Sequence, residues 1–175
     1  MIGGSPLKIL ETERLLLRQL STEDAEFILE LLNEPSFIHN IGDRGIRTID
    51  GANSYLLNGP VASYAKNGFG LYLVQLKETN ESIGMCGLIK RDTLEDVDIG
   101  YAFLPRFWSK GYAFEAAQAV KEYAKTVIGL HRIVAIVDPK NEASIRVLQK
   151  IGLQFEKMMK LSEDDIELKL FGADI

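Results

Sequence analysis

One stretch decides the fold: Asp98-Ile-Gly-Tyr-Ala-Phe-Leu-Pro-Arg-Phe-Trp-Ser-Lys-Gly-Tyr-Ala-Phe-Glu-Ala-Ala117. Its first residues alternate between large apolar and small or polar side chains, which predicts a half-buried strand. Pro105 marks a short loop. From about Gly111 to Ile128, apolar residues recur every three or four positions, which predicts a helix. Such a loop directs free backbone N–H groups and the positive end of the helix dipole at one point, which suits a phosphate or a pyrophosphate.

The composition of the chain limits which classes of protein it can belong to. The chain has 175 residues, 46% hydrophobic and 26% charged, which predicts one globular domain over residues 1–175, with residues 1–6 as a flexible leader. The net charge of −5 argues against a nucleic-acid partner, because such proteins usually carry a basic surface. We expect no membrane partner, since no apolar run approaches the roughly 20 residues of a membrane span. A single cysteine, Cys86, and no recognisable signal peptide favour a cytoplasmic protein.

The rest of the chain predicts further strands and helices. Strands are expected at residues 13–20, 69–76, 83–90, 94–103, 131–137, 153–161 and 166–171. Helices are expected at 22–32, 49–66 (split at Gly59-Pro60), 111–128 and 141–151. Residues 36–47 are predicted to be a loop. This order of elements is typical of an α+β or mixed α/β domain.

Two motifs carry a resemblance to a known family. The segment Trp108-Ser-Lys-Gly-Tyr-Ala113, followed by Glu115, resembles the acyl-CoA pyrophosphate loop of the GCN5-related N-acetyltransferases (GNAT). It is closest to the branch of the ribosomal-protein N-terminal acetyltransferases. Trp108 stands where the family has Gln or Arg. Further along, Asn141-Glu-Ala-Ser144 resembles the family's Asn-x-x-Ser helix, which ends here in Gly152-Leu153.

The resemblance covers nearly the whole chain and implies a fold and a co-substrate. The fold is a GNAT-like single domain with a central, mostly antiparallel, twisted sheet of about seven strands, flanked by about four helices. The co-substrate is acetyl-CoA, and no metal is expected. The residues implied to hold its pyrophosphate are Trp108, Ser109, Lys110, Gly111, Tyr112 and Ala113.

The same resemblance implies a path for the pantetheine arm. In this family the arm pairs with the backbone of a splayed strand, and the matching residues are Ile99, Gly100, Tyr101, Ala102 and Phe103. A mid-strand glycine is consistent with close approach of another backbone, although a bend without a ligand also explains it. Asn141 is implied to hydrogen-bond the pantetheine, and Ser144 to approach the thioester sulfur. A plain N-cap and an ordinary polar residue in the first helical turn are the alternatives.

The catalytic groups are less clearly marked. Transfer of an acetyl group from a thioester to an amine requires a neutral amine nucleophile and a donor for the departing thiolate. Asp98 is the candidate base, or the contact for a cationic substrate, and a solvated acidic face is its alternative role. Many family members use a late tyrosine as the acid, but no tyrosine follows Tyr123. Ser144 or water therefore remains as the donor.

These residues predict an acetyl-CoA-dependent N-acetyltransferase in which a primary amine attacks the thioester directly. The acceptor is a protein N-terminus, an amino acid or a small amine, and the sequence does not choose among them. The missing late tyrosine and the absence of an obvious base keep a non-catalytic acyl-CoA-binding regulatory domain open as the alternative. A structural domain that binds no nucleotide is the third possibility. Both a monomer and a homodimer are compatible with the sequence.

Overall fold

One open sheet organises the computed structural model, which describes residues 7–175. Its eight strands are β1 (Lys8–Glu11), β2 (Leu15–Gln19), β3 (Leu71–Leu76), β4 (Ser82–Ile89), β5 (Asp98–Phe103), β6 (Arg132–Val137), β7 (Gln154–Met159) and β8 (Leu168–Asp174). They lie in the order β1-β2-β3-β4-β5-β6-β8-β7, and only β5 and β6 run parallel to each other. The predicted mixed α/β fold with a mostly antiparallel sheet is confirmed. The flexible leader expected at residues 1–6 lies outside the described residues.

Helices cover both faces of the sheet. Those of residues 7–175 are α1 (Ala25–Leu32), α2 (Pro35–Asn40), α3 (Ile49–Leu56), α4 (Ala62–Asn67), α5 (Tyr112–Tyr123) and α6 (Glu142–Lys150). Within this range, no helix is both long and apolar enough to cross a membrane.

The predicted break at Gly59-Pro60 is instead a widening of the helix. A π-helical turn at Leu57–Val61 joins α3 directly to α4. Pro60 lies inside it and has no N–H to donate to the preceding turn. The wider turn continues past the proline, because the N–H of Ala62 donates to the carbonyl of Leu57.

Two short elements differ from the sequence prediction. β1 (Lys8–Glu11) is an additional edge strand that pairs with β2. Residues 36–47, predicted to be a loop, begin inside α2, where Phe37 is the buried residue. Neither element is long enough to leave a recognisable period in the sequence, so no sequence pattern predicts it.

A hydrophobic core lies on each side of the sheet. The core under α5 and α6 contains Val120 and Leu148, and the core under α1 and α3 contains Leu31 and Leu56. Successive side chains of a strand point to opposite faces. The residues of β5 that pack toward α5 and α6 are Ile99, Tyr101 and Phe103. Asp98, Gly100 and Ala102 therefore face the layer of α1 to α4.

Candidate active site

The parallel strands β5 and β6 diverge and open a cleft in the middle of the sheet. They share one pair, Asp98 with Val134, where the Val134 N–H donates to the Val97 carbonyl at 3.0 Å. On its other side β5 is paired with β4 along its whole length. Beyond Asp98, β5 thus has a free edge that faces the cleft.

Only alternate residues of β5 present their backbone to the cleft. The N–H of Leu104 donates to the carbonyl of Ile83 on the β4 side at 2.9 Å, and in an antiparallel ladder such residues alternate with residues that point away. The backbone groups of Gly100 and Ala102 therefore bond to β4. This leaves three of the five β5 residues that were expected to pair with the pantetheine through their main chain. The backbone groups that face the cleft belong to Ile99, Tyr101 and Phe103.

Trp108 closes one end of this free edge. Its indole Nε1–H donates to the carbonyl of Phe103 at 2.9 Å, while 47% of its side chain stays exposed. The residue that departs from the family's Gln or Arg thus fastens the loop after β5 to the end of the strand.

The loop between β5 and α5 presents a row of unpaired amides. After a 3₁₀ turn at Pro105–Phe107, Ser109 and Gly111 have left-handed backbone angles, with φ of 62° and 83°. No side chain caps α5, whose first backbone hydrogen bond in the described chain runs from the Glu115 N–H to the Gly111 carbonyl. In the described chain, no acceptor meets the N–H groups of Tyr112, Ala113 and Phe114. Free amides at the positive end of a helix dipole form an anion site.

The β1–β2 hairpin holds this loop from behind. The Glu115 carboxylate accepts hydrogen bonds from the Thr12 hydroxyl, from the Arg14 N–H at 3.0 Å and from Arg14 Nε at 2.7 Å. Another guanidinium nitrogen of Arg14 donates to the Lys110 carbonyl at 2.9 Å. Although burial acts in the opposite sense, the bonds from Thr12 and Arg14 lower the pKa of Glu115.

No motif of the sequence contains Thr12 or Arg14. Glu115 follows the loop motif in the first turn of the helix, where an interaction with the helix dipole is the expected role. The partners of Thr12 and Arg14 lie 96 to 103 residues away along the chain. No local pattern carries a contact of that separation, so only the tertiary structure could show it.

Tyr101 connects β5 with α6. Its hydroxyl oxygen lies 2.9 Å from Ser144 Oγ and 3.1 Å from the Ser144 carbonyl oxygen. Burial raises the pKa of Tyr101 well above its usual range, so the phenol stays protonated at physiological pH. No tyrosine follows Tyr123, but the hydroxyl of Tyr101, on an earlier strand, lies beside Ser144.

Asn141 is the N-cap of α6. Its Oδ1 accepts a hydrogen bond from the Ser144 N–H at 3.3 Å. Its Nδ2 has no partner within residues 7–175 and can donate to a ligand. Capping and ligand binding are therefore compatible roles for this side chain.

Asp98 is a buried carboxyl with one cationic partner. It is 2% exposed, and Arg91 Nε lies 2.6 Å from its Oδ2. Burial raises the pKa of Asp98 to about 6, against the opposing effect of Arg91. Its burial rules out a solvated acidic face. A carboxyl with this pKa can exchange a proton near neutral pH, as a general base must.

Cys86 takes no part in this site. It is buried in β4, and burial raises the pKa of its thiol, which makes it a poor nucleophile. Among residues 7–175, no three His, Cys, Asp or Glu side chains are grouped so that they could hold a metal ion.

Comparison with known proteins assigns the family. Residues 14–154 match the acetyltransferase (GNAT) domain. The uncharacterized N-acetyltransferase YoaA of Bacillus subtilis (strain 168) is 33% identical over 153 residues, covering 87% of this chain and 86% of that protein.

Solved structures share the fold. The ribosomal L7/L12 alpha-N-protein acetyltransferase RimL, in complex with coenzyme A, matches with a TM-score of 0.81 at 16% identity, over 96% of this chain and 98% of that chain. The spermidine N-acetyltransferase of Vibrio cholerae, in complex with CoA and spermine, matches with a TM-score of 0.77 at 19% identity, over 93% and 96%.

The fold and the cleft define an acyltransferase. The chain belongs to the GNAT acetyltransferase family. The family resemblance stated from the sequence is confirmed.

Proposed function

We propose that this protein is an acetyl-CoA-dependent N-acetyltransferase in which a primary amine attacks the thioester directly. The observation that carries the proposal is the free edge of β5, which leads to the unpaired amides at the start of α5. An extended pantetheine arm can pair with a strand edge, and a pyrophosphate can accept hydrogen bonds from helix N-terminal amides. Acetyl-CoA carries both groups and supplies an activated acetyl group.

In this proposal the cofactor-binding residues form one continuous path. The loop from Trp108 to Ala113 holds the pyrophosphate through its backbone. The β5 residues with cleft-facing backbone pair with the pantetheine, and Asn141 donates to it through Nδ2. The path ends at Ser144, which the structure places beside Tyr101.

The chain's own groups can serve each stage of the transfer. The backbone N–H of Tyr101 faces the cleft beyond the pair of Asp98 with Val134 and can stabilise the oxyanion that forms when the amine nitrogen bonds to the carbonyl carbon. As the C–S bond breaks, Ser144 Oγ–H donates to the departing sulfur. Asp98 accepts the proton that the nitrogen loses, directly or through water.

The acceptor is a protein N-terminus, an amino acid or a small amine. RimL is a protein N-acetyltransferase, and the Vibrio cholerae enzyme is a spermidine N-acetyltransferase. Family membership therefore admits both kinds of acceptor. The alternative of a non-catalytic acyl-CoA-binding regulatory domain rests on the missing late tyrosine and on the absence of an obvious base. The contact between Tyr101 and Ser144 weakens the first of these reasons.

A fluorescence titration tests cofactor binding. Trp108 is the single tryptophan of the chain and is half exposed. Acetyl-CoA and CoA should shift its emission to the blue and saturate in the micromolar range, because the bound cofactor displaces water from the indole. ATP should bind much more weakly. Gly111→Asp should abolish the response, because its carboxylate repels the pyrophosphate.

Turnover is then measured as release of free thiol with N-terminal peptides, amino acids and polyamines. Absence of acetyl-CoA binding by well-folded protein would contradict the proposed function. Binding without turnover on any amine would favour the regulatory domain instead.

A further inference from the structure

We propose that Arg14 positions the Gly111 amide for the pyrophosphate of the cofactor, acting from behind the loop through the Lys110 carbonyl. This inference rests on the function proposed above and adds to it a residue from the β1–β2 hairpin, far from the loop in sequence.

The peptide group between Lys110 and Gly111 is held in one direction. The Arg14 guanidinium donates to the Lys110 carbonyl oxygen at 2.9 Å. In a planar trans peptide the C=O and the following N–H point in opposite directions. With the Lys110 oxygen held by Arg14, the Gly111 N–H points away from Arg14. If this peptide flipped, a carbonyl oxygen would replace a donor at the anion site and would repel phosphate.

Arg14 is itself held in place. Its Nε lies 2.7 Å from Glu115 Oε1, and its guanidinium lies 4.4 Å from the centre of the Tyr112 ring. A Cβ built on Gly111 would lie 3.3 Å from a terminal nitrogen of the guanidinium. The side chain is therefore packed against the left-handed residue whose amide it orients.

Arg14 acts on the loop by orientation and not by its charge. The ion pair with Glu115 offsets the positive charge of Arg14 next to the loop. Arg14 then contributes through the geometry of its planar guanidinium, which donates to Glu115 and to the Lys110 carbonyl at the same time. A lysine ammonium keeps the charge but lacks that fixed geometry. Arg14 is thus a positioning residue.

The experiment compares Arg14→Met and Arg14→Lys with the wild type. CoA affinity is measured by calorimetry, and kcat/KM is measured with acetyl-CoA and with acetyl-pantetheine, which lacks the pyrophosphate. We expect both variants to bind CoA about tenfold more weakly, as for loss of one hydrogen bond to a charged group. Their kcat/KM with acetyl-pantetheine should stay within about twofold of the wild type.

Thr12→Val is the matched control. It removes one donor to Glu115 but leaves the bond from Arg14 to the Lys110 carbonyl. It should lower the melting temperature as the Arg14 variants do, with much less effect on CoA affinity.

Other outcomes overturn the proposal. Wild-type CoA affinity in Arg14→Lys would show that charge alone suffices. An equal loss with acetyl-CoA and acetyl-pantetheine, or an equal loss of CoA affinity in Thr12→Val, would show a general distortion. Failure of the wild type to bind CoA would instead contradict the proposed function.

Discussion

The hydroxyl oxygen of Tyr101 lies 2.9 Å from Oγ of Ser144, which joins β5 to α6 across 43 residues of sequence. The Tyr101 hydroxyl also lies within hydrogen-bond distance of the Ser144 carbonyl. When its single proton is donated to Ser144 Oγ, the serine proton is free to donate to a sulfur in the cleft. Because burial raises the pKa of Tyr101, the phenol keeps its proton, and in the proposed mechanism it acts through Ser144.

Tyr101→Phe removes this hydroxyl and keeps the ring. We expect kcat to fall about tenfold with little change in KM for acetyl-CoA, since the lost bond orients a donor needed mainly as the C–S bond breaks. Steady-state kinetics with acetyl-CoA measure the effect, and the melting temperature shows whether packing is kept.

A double-mutant cycle with Ser144→Ala is the control for this pair. If Tyr101 acts through Ser144, the double variant should be no slower than Ser144→Ala alone. Fully additive losses would assign the two hydroxyls separate roles.

Asp98→Asn tests the buried carboxyl. Burial raises the pKa of Asp98 from 3.8 to about 6, so the folded protein holds this proton more tightly than the unfolded chain does. The contribution of Asp98 to stability is therefore complete below about pH 4 and is lost as the pH rises to about 6. Across this window the free energy of unfolding of Asp98→Asn should rise relative to the wild type, by at most about 3 kcal/mol.

Urea unfolding of both proteins from pH 4 to 7 measures this difference. Carboxyls whose pKa is lowered, such as Asp43 and Glu115, contribute to the pH dependence of stability in the opposite sense. These contributions are the same in both proteins and cancel in the difference. If Asp98 is the base, kcat/KM of the wild type should decrease as the pH is lowered below about 6, and this decrease should be absent in Asp98→Asn. If kcat/KM of the variant still decreases at low pH, the ionisation that controls activity belongs to another group.

Gly111→Ala tests the left-handed residue of the loop, with Gly129→Ala as the matched control. Both glycines have φ of 83°, and no atom lies within 4 Å of a Cβ built on Gly129. Each variant should lose about 1 kcal/mol of unfolding free energy, because alanine is strained in this conformation. Only Gly111→Ala should weaken CoA binding. Weakening in Gly129→Ala as well would show that the binding loss follows stability.

Asn141→Ala tests the second motif, with Thr48→Ala as its control. Thr48 caps α3 through a hydrogen bond from the Gly51 N–H at 3.0 Å, as Asn141 caps α6. Removal of either cap should cost about 1 kcal/mol of unfolding free energy. Only Asn141→Ala should raise KM for acetyl-CoA, since Nδ2 is also lost. Equal KM values for acetyl-CoA in the two variants would show that Asn141 only caps α6 and does not bind the cofactor.

The long elements were readable from the sequence because their physical causes are local. The alternation in β5 and the helical period of α5 follow from which side chains face the core. Gly111 at a positive φ and Asn141 as an N-cap follow from conformational limits of single residues. β1 and α2 escaped notice because four and six residues contain too few buried side chains to show a period.

The sequence by itself therefore determined the order of the long elements, the family and the loop between β5 and α5. Only the tertiary structure decided which residues of β5 turn their backbone to the cleft, because that depends on pairing with β4. It also decided the contacts of Tyr101 with Ser144, of Arg14 with Lys110 and of Asp98 with Arg91. Hydrogen bonds and ion pairs act over a few ångströms in space, whatever the separation along the chain, so no pattern of neighbouring residues specifies them.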